Sequence, residues 1–315
     1  MHSYQEAKLT TAQPGIFALG SRTHHHLELD LRADVAPSRL TECLRALRQP
    51  HVTGGAANII LGFVASIWEA MRPGVPQPDG CGPFEPVEGI EGFRAPATQH
   101  DVWAWVHGSG PDEVLDATLA TKRVLEPAAT VADETVGFVY HDSRDLTGFI
   151  DGTANPSPAA APDVALIPDG EVGAGGSHVL LQRWVHDLAG FGELEVPEQE
   201  AVFGRTKLDS VALDRSIRPP DAHITRAEVH DAAGNERPIY RRSVATGTAS
   251  EQGLIFVAFS AERDRFDAML ASMYGLDDSG IHDRLLEFST PVTGSYYFAP
   301  SAEELDELGI ASERV

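Results

Sequence analysis

Gly148-Phe149-Ile150-Asp151-Gly152-Thr153-Ala154-Asn155-Pro156 places one carboxylate at the end of an apolar approach and follows it at once with glycine. Gly152 carries no Cβ, so the backbone there can lie close against a flat ligand and can take φ > 0. A carboxylate so placed either closes a turn on its own backbone or reaches into a pocket as an acid/base group. Both readings are open from this stretch alone, because Asp-Gly is a common turn pair. The decision rests on what lies downstream.

Downstream, Phe203-Gly204-Arg205-Thr206-Lys207, Asp221-Ala222-His223-Ile224, Ile239-Tyr240-Arg241-Arg242-Ser243 and Asp283-Arg284-Leu285-Leu286-Glu287-Phe288-Ser289-Thr290 follow in order. With Gly148-x-x-Asp151-Gly152, this series over residues 148–298 resembles the dye-decolourising peroxidases, a family of haem enzymes. The shorter, bacterial (B-type) branch is the best fit. The Gly-Arg-Thr-Lys element, the haem-ligating histidine, the distal Arg-x-Ser/Asn element and the late Asp-Arg-Leu-Leu run each have a counterpart here.

The chain has 315 residues, with 42% hydrophobic and 23% charged, an ordinary globular composition long enough for two domains. Its 24 Lys and Arg against 47 Asp and Glu leave a net charge of −23. Nucleic acid and anionic membrane surfaces would be repelled, so neither is expected as a partner. No apolar run approaches the ~20 residues of a membrane helix. Met1-His2-Ser3-Tyr4-Gln5-Glu6 lacks a basic, apolar or twin-arginine leader, and a cytoplasmic location is expected. Cys43 falls on the apolar side of a helical pattern and Cys81 in a loop, so the pair implies no disulfide framework.

Periodicity predicts a strand at 27–31, a helix over 36–48, and a strand passing into a helix between Asn58 and Met71. A long Pro/Gly-rich loop follows over 72–98. Next come a strand at 101–107, a helix at 111–125 and a strand at 135–140. The second half reads as a strand at 178–185, a helix at 197–208, a strand at 253–260, a helix at 261–273 and a closing strand at 293–298. Strand, polar turn and amphipathic helix recur in both halves, a weak repeat of element order. That order predicts an α+β fold of antiparallel sheets with helices on one face. The resemblance sharpens it to two ferredoxin-like halves whose sheets pack together, helices on the outside. The expected limits are 1–142 for the N-terminal domain, 143–300 for the haem-binding domain and 301–315 for an acidic C-terminal tail. His24-His25-His26 does not suit a metal, since successive strand residues face opposite ways.

The resemblance also implies the chemistry. Haem b (iron protoporphyrin IX) would take His223 as axial ligand and sole metal-binding residue. Asp283 would accept the other imidazole N–H, with Asp221 as a nearby competitor. Gly152, Thr153 and Arg205 would contact the cofactor, Arg205 as a fork on a propionate. On the opposite face Asp151 would carry a proton of hydrogen peroxide while Arg241 stabilises the developing charge, and Ser243 would hold a water. If 239–243 is extended, Ile239, Arg241 and Ser243 share one face and Arg242 points away, suiting a strand-edge arginine.

The function implied is a haem-dependent peroxidase that passes through a ferryl-oxo intermediate. It would oxidise dyes, phenolic compounds or Mn²⁺ by one-electron steps. Trp184, Tyr240, Tyr296 and Tyr297 are candidate electron carriers. Burial of Asp151 and the charge of Arg241 should offset in part. The alternative is a haem-handling protein for storage, delivery or iron removal, which needs His223 but no distal Asp/Arg pair. The resemblance further implies a homo-oligomer. Leu308-Gly309-Ile310-Ala311-Ser312 resembles peptides that dock relatives inside encapsulin shells, after a solvated acidic helix at 301–307.

Overall fold

Alternation along Thr23–Leu31 (β1) decides how the first half packs. Leu27 and Leu29 go to one side, His24, His26 and Glu28 to the other, and all are buried. A computed structural model of the chain describes residues 12–47 and 57–310. Strands β2 (Ala57–Phe63), β5 (Val102–Gly108) and β6 (Ala129–Phe138) join β1 in the order β2-β5-β1-β6, all antiparallel. The long connection between β2 and β5 includes a two-stranded ribbon, β3 (Val87–Glu88) with β4 (Arg94–Ala95). In the second half β7 (Ser177–His186) lies between β10 (Gln252–Ser260) and β12 (Ser295–Ala299). The short strands β8 (Tyr240–Arg241) and β9 (Val244–Gly247) line the far edge of β10, and β11 (Ser289–Pro291) extends β7.

The expected pair of packed sheets is instead one ten-stranded sheet. Phe298 of β12 pairs with Phe63 of β2, and Gly137–Phe138 of β6 pair with β9, so the strands close into a barrel-like ring. The physical reason is edge pairing. Each half leaves two strand edges with unpaired amides, and joining them satisfies both.

Inside the ring, Trp103 and Trp105 stack on His24, His26 and His107. Outside it, α1 (Pro37–Ala46), α2 (Ala65–Met71) and α3 (Pro111–Leu125) cover the first half, and Cys43 is a buried core thiol as expected. α8 (Asp264–Met273) covers the second half. Between them the chain adds α4 (Ala161–Ala165), α5 (Leu188–Glu193), α6 (Val196–Phe203) and α7 (His223–Ala227).

Several boundaries differ from expectation. The 197–208 helix stops at Phe203, because Gly204 takes φ 75° and turns the chain. β6 begins at Ala129, six residues before the expected strand, and its outer residues are half-exposed. Arg242 is not a solvated edge residue. Its guanidinium donates to the carbonyls of Ile16 (2.5 Å) and Ala18 (2.8 Å) and lies 5.2 Å from the Trp105 ring centroid. The 301–307 segment is a helix, α9 (Ala302–Glu307), but not a fully solvated one. Leu305 and Ile310 are buried in the first half's core, and Arg45 Nε donates to the Leu308 carbonyl. Ala311 and Ser312 lie outside the described residues.

Each of the interior histidines His24 and His26 is bonded at one ring nitrogen, its Nε2 having no partner among the described residues. Trp105 Nε1 donates to His24 Nδ1 and Trp103 Nε1 to His26 Nδ1, each at 3.2 Å. Burial and the Arg242 charge push His24 down to about 3 and His107 down to about 2. Folded values below the ordinary one mean that the unfolded chain binds more protons in acid, so stability is lost as pH falls from about 6.5. Each such histidine contributes at most ~1.4 kcal/mol per pH unit. The melting temperature of His24→Gln should therefore fall less steeply than wild type between pH 7 and 4, measured by calorimetry. Separately, Ile310→Ala should cost about 2 kcal/mol by emptying its core site, read from urea denaturation.

Candidate functional site

A cavity opens on the outer face of β7 and β10. Apolar side chains of both strands (Trp184, Leu254, Phe256) and of α8 (Met269, Leu270, Met273) form one wall, and Phe203, Ile239 and Leu286 add to it. Into this apolar space come His223, Asp151, Arg205 and Arg241, residues separated by up to 90 positions in the chain.

His223 is the first residue of α7, whose start is set by Pro219, Pro220 and the extended Ala222. Its Nδ1–H donates to Asp283 Oδ2 at 2.6 Å, which leaves Nε2 as the imidazole's other nitrogen. Asp283 is fully buried and its second oxygen accepts the Leu285 N–H at 2.9 Å, capping the 3-10 turn Arg284–Glu287. Asp221, the competitor, contributes only its backbone carbonyl, to Arg284 N–H at 2.9 Å. Gly204 makes the close approach to this helix. A Cβ there would sit 2.3 Å from Ile224 Cγ2.

Asp151 sits on the opposite arm, at a turn where Gly152 has φ 76° and donates its N–H to Asp151 Oδ1 at 2.6 Å. Phe149 stacks on Phe203 at 4.0 Å, and Phe203 meets the His223 ring edge-on at 6.1 Å. The two halves of the site are thus packed through aromatic rings. Lys207 lies behind this wall, over the Phe149 ring. Burial raises the Asp151 pKa, Arg241 lowers it, and Asp145 raises it again. The net direction is upward, so the expected offset is incomplete: desolvation outweighs the arginine.

Arg241 lines the cavity with Ile239, whereas Arg242 enters the ring, as period-two geometry requires. Asn155 holds Arg241 from both sides, accepting its N–H at 2.9 Å and donating to its carbonyl at 2.8 Å. Ser243 does not join them in the cavity. It lines an adjoining cleft that shares Asp151, Gly152 and Arg241, and its Oγ is buried without a partner among the described residues. Arg205 donates to the Ser210 carbonyl at 3.0 Å and faces the cavity, as do Gly152 and the exposed Thr153.

The residues present fit a flat, mostly apolar ligand with anionic groups. The walls are apolar, and Arg205 is at hand for an anionic edge. The side-chain amide of Gln182 and Trp184 Nε1 line the same cavity, buried and without a partner among the described residues. Trp184, Tyr240, Tyr296 and Tyr297 are all buried, with Tyr296 bonded to Asp267 and Tyr297 to Glu28. None of these four offers an exposed ring to a bulky reductant.

Sequence reasoning passed over Asp145, His186 and Ser289, which line the same cavity. It also assigned no role to Asn155. Its place inside the Asp151 motif was the available signal.

Comparison with known proteins gives a consistent picture. Residues 142–304 match the family model described as Dyp-type peroxidase, C-terminal. A dye-decolorizing peroxidase of Mycobacterium tuberculosis is 35% identical over 252 residues, covering 79% of this chain and 75% of the relative. Among solved structures, a variant of DypB from Rhodococcus jostii in complex with heme aligns with a TM-score of 0.85 at 34% identity, covering 92% and 96% of the two chains. An encapsulated DyP-type peroxidase from Mycobacterium smegmatis aligns at 0.88 and 30% identity, covering 95% and 98%.

Asp283→Ala strands two donors in a buried place, His223 Nδ1–H and Leu285 N–H. It should cost about 2 kcal/mol, while Asp283→Asn, which keeps one acceptor, should cost less. Urea denaturation of the two variants measures the difference.

Proposed function

This chain belongs to the dye-decolourising (Dyp-type) peroxidase family, and from that premise we propose that it reduces hydrogen peroxide at a haem held by His223. One observation carries the reading. His223, with its Nδ1–H fixed by Asp283, shares one apolar cavity with Asp151 and Arg241. Haem, when bound, takes two oxidising equivalents from peroxide and returns them to reductants one electron at a time.

The chain's own residues do the rest. Asp283 keeps His223 in the tautomer whose Nε2 can ligate iron and raises its basicity. Arg205, with Gly152 and Thr153 nearby, takes the anionic edge of the cofactor. Ionised Asp151 accepts the proton from one peroxide oxygen and returns it to the other as the O–O bond breaks. Arg241, fixed through its backbone by Asn155, supplies the positive charge that this separation needs. Apolar walls exclude competing water. Ser243 reaches the path from the adjoining cleft and orients a water there. A haem carrier would require His223 alone, so the Asp151 and Arg241 side chains in the same cavity favour the peroxidase.

Each half places its first strand at its centre, β1 between β5 and β6 and β7 between β10 and β12, which supports reading the ring as two joined ferredoxin-like domains, 1–142 and 143–300. The encapsulated relative supports shell packaging as a proposal for this chain. Residues 308–310 are poor docking elements as they stand, because Ile310 is already seated in its own core. No helix among the described residues is long and apolar enough to cross a membrane.

Because burial raises the Asp151 pKa, the acid limb of the peroxide reaction should lie above the ordinary carboxylate range. Activity is lost as pH falls through it, and Asp151→Asn should lack that limb. Arg241→Leu should slow the reaction by about 10²–10³, more than Asp151→Asn, with haem retained in both. Stopped-flow mixing of ferric protein with peroxide measures all three. A purified protein without a haem spectrum, or one unchanged by peroxide, would overturn the assignment.

A further inference from the structure

Around Asp151 the chain folds back on itself as a short antiparallel ladder. Asp151 N–H donates to the Ser143 carbonyl and Asp145 N–H to the Phe149 carbonyl, both flanking the narrow pair Arg144 and Ile150. In such a ladder, side chains of the two flanking rungs share one face and those of the central pair take the other. Asp145 and Asp151 are therefore diagonal neighbours on one face, a separation on the order of 7 Å between backbones. Arg144 is on the other face, bonded to Asp142 and to the Lys207 and Leu208 carbonyls. Two carboxylates this close, both lining one apolar cavity, raise each other's proton affinity unless one is neutralised.

Asp145 keeps its charge but is held by a built chain of side chains. His186 Nε2 lies 3.1 Å from Asp145 Oδ1, and His186 Nδ1 lies 2.8 Å from Ser289 Oγ. The other oxygen, Oδ2, accepts from Thr147 N–H at 2.9 Å and Thr147 Oγ1 at 2.5 Å. His186 and Asp145 are both buried. Burial would raise the Asp145 pKa, but His186 and Thr147 hold it below the usual carboxylate range. His186 sits at the end of β7 and Ser289 at the start of β11, so the imidazole is fixed by strand pairing, not by the loop that carries Asp151.

We propose that Ser289, His186 and Asp145 form a positioning triad that sets the proton affinity of Asp151 through the charge left on Asp145. The inference rests on the reading of Asp151 as the proton carrier. An imidazole N–H held against Asp145 Oδ1 draws that charge toward β7, so Asp151 answers first to burial and Arg241 and less to Asp145. Other charged groups around the cavity are His223, Arg205, Glu228, Glu236 and Arg237. The first two lie close to Asp151 or Arg241 in charge effect, and none is bonded to the triad.

Cyanide binding to the ferric holoenzyme tests this without turnover. Hydrogen cyanide must surrender its proton on binding, so its association slows as pH falls through the Asp151 titration. His186→Gln leaves the Asp145 charge uncompensated and should move that midpoint to higher pH. Asp145→Asn removes the repelling charge and should move it to lower pH. Ser289→Ala, which keeps both charges, should follow His186→Gln by a smaller step and stands in for it if that variant does not fold. Opposite displacements are the signature, because loosened packing would move both variants the same way. Displacement in one direction, or none, overturns the triad. An Asp151→Asn holoenzyme that keeps the wild-type midpoint would instead overturn the role of Asp151, and the triad with it.

Discussion

A single strand with no free edge organises this molecule. Ser177–His186 is hydrogen-bonded to β10 on one side and to β12 and β11 on the other. With both edges used, its side chains can go only inward or outward, and period two does the sorting. Val179 and Leu181 fill the ring, while Gln182, Trp184 and His186 face the cavity. The same strand therefore separates a packed aromatic interior from a space shaped for a ligand. A one-residue slip would exchange the two.

The two sides of that strand are governed by different electrostatics. Within the ring, polar groups bond chiefly to one another: Trp N–H on His, Tyr297 and Ser295 on Glu28. Burial pushes the Glu28 and Tyr297 pKa values up and those of the histidines down, so each is driven toward its neutral form. In the cavity, the charged and titratable groups come from separate elements, each held by its own bonds. Arg241 is fixed by Asn155, His223 by Asp283 and Asp145 by His186. The first arrangement favours stability and the second leaves charge available for chemistry.

What could be read from sequence followed from how local the signal was. Asp151, His223, Arg241 and Asp283 sit in short runs whose residue types carry their own chemistry, and all meet at the cavity except Asp283, which lies just behind it. The helix at 111–125 was legible to the residue, since Pro111 opens it and its apolar period is unbroken. Ring closure was not legible. It depends on two junctions, Phe298 with Phe63 and Gly137–Phe138 with β9, and nothing in these strands announces its partner. Asp145, His186 and Ser289 were hidden for the same reason, being 41 and 103 positions apart. Arg242 was misplaced because tandem arginines look solvated until the Ile16 and Ala18 carbonyls are seen beside them.

The closing of the ring also imposes an order in time. Chain emerging from a ribosome presents β1, β2, β5 and β6 long before β9 and β12 exist. Until then the first half has two bare strand edges, at β2 and β6, and an interior lined by Trp103 and Trp105. Such a half-finished sheet can pair with a neighbouring nascent chain as readily as with its own later strands. Its final partners arrive more than a hundred residues afterwards, and contacts of that span form slowly. Residues 1–138 carry 10 Lys and Arg against 17 Asp and Glu, a net charge of −7 that makes unfinished copies repel one another during that interval. Charge here guards synthesis as much as it colours the finished enzyme.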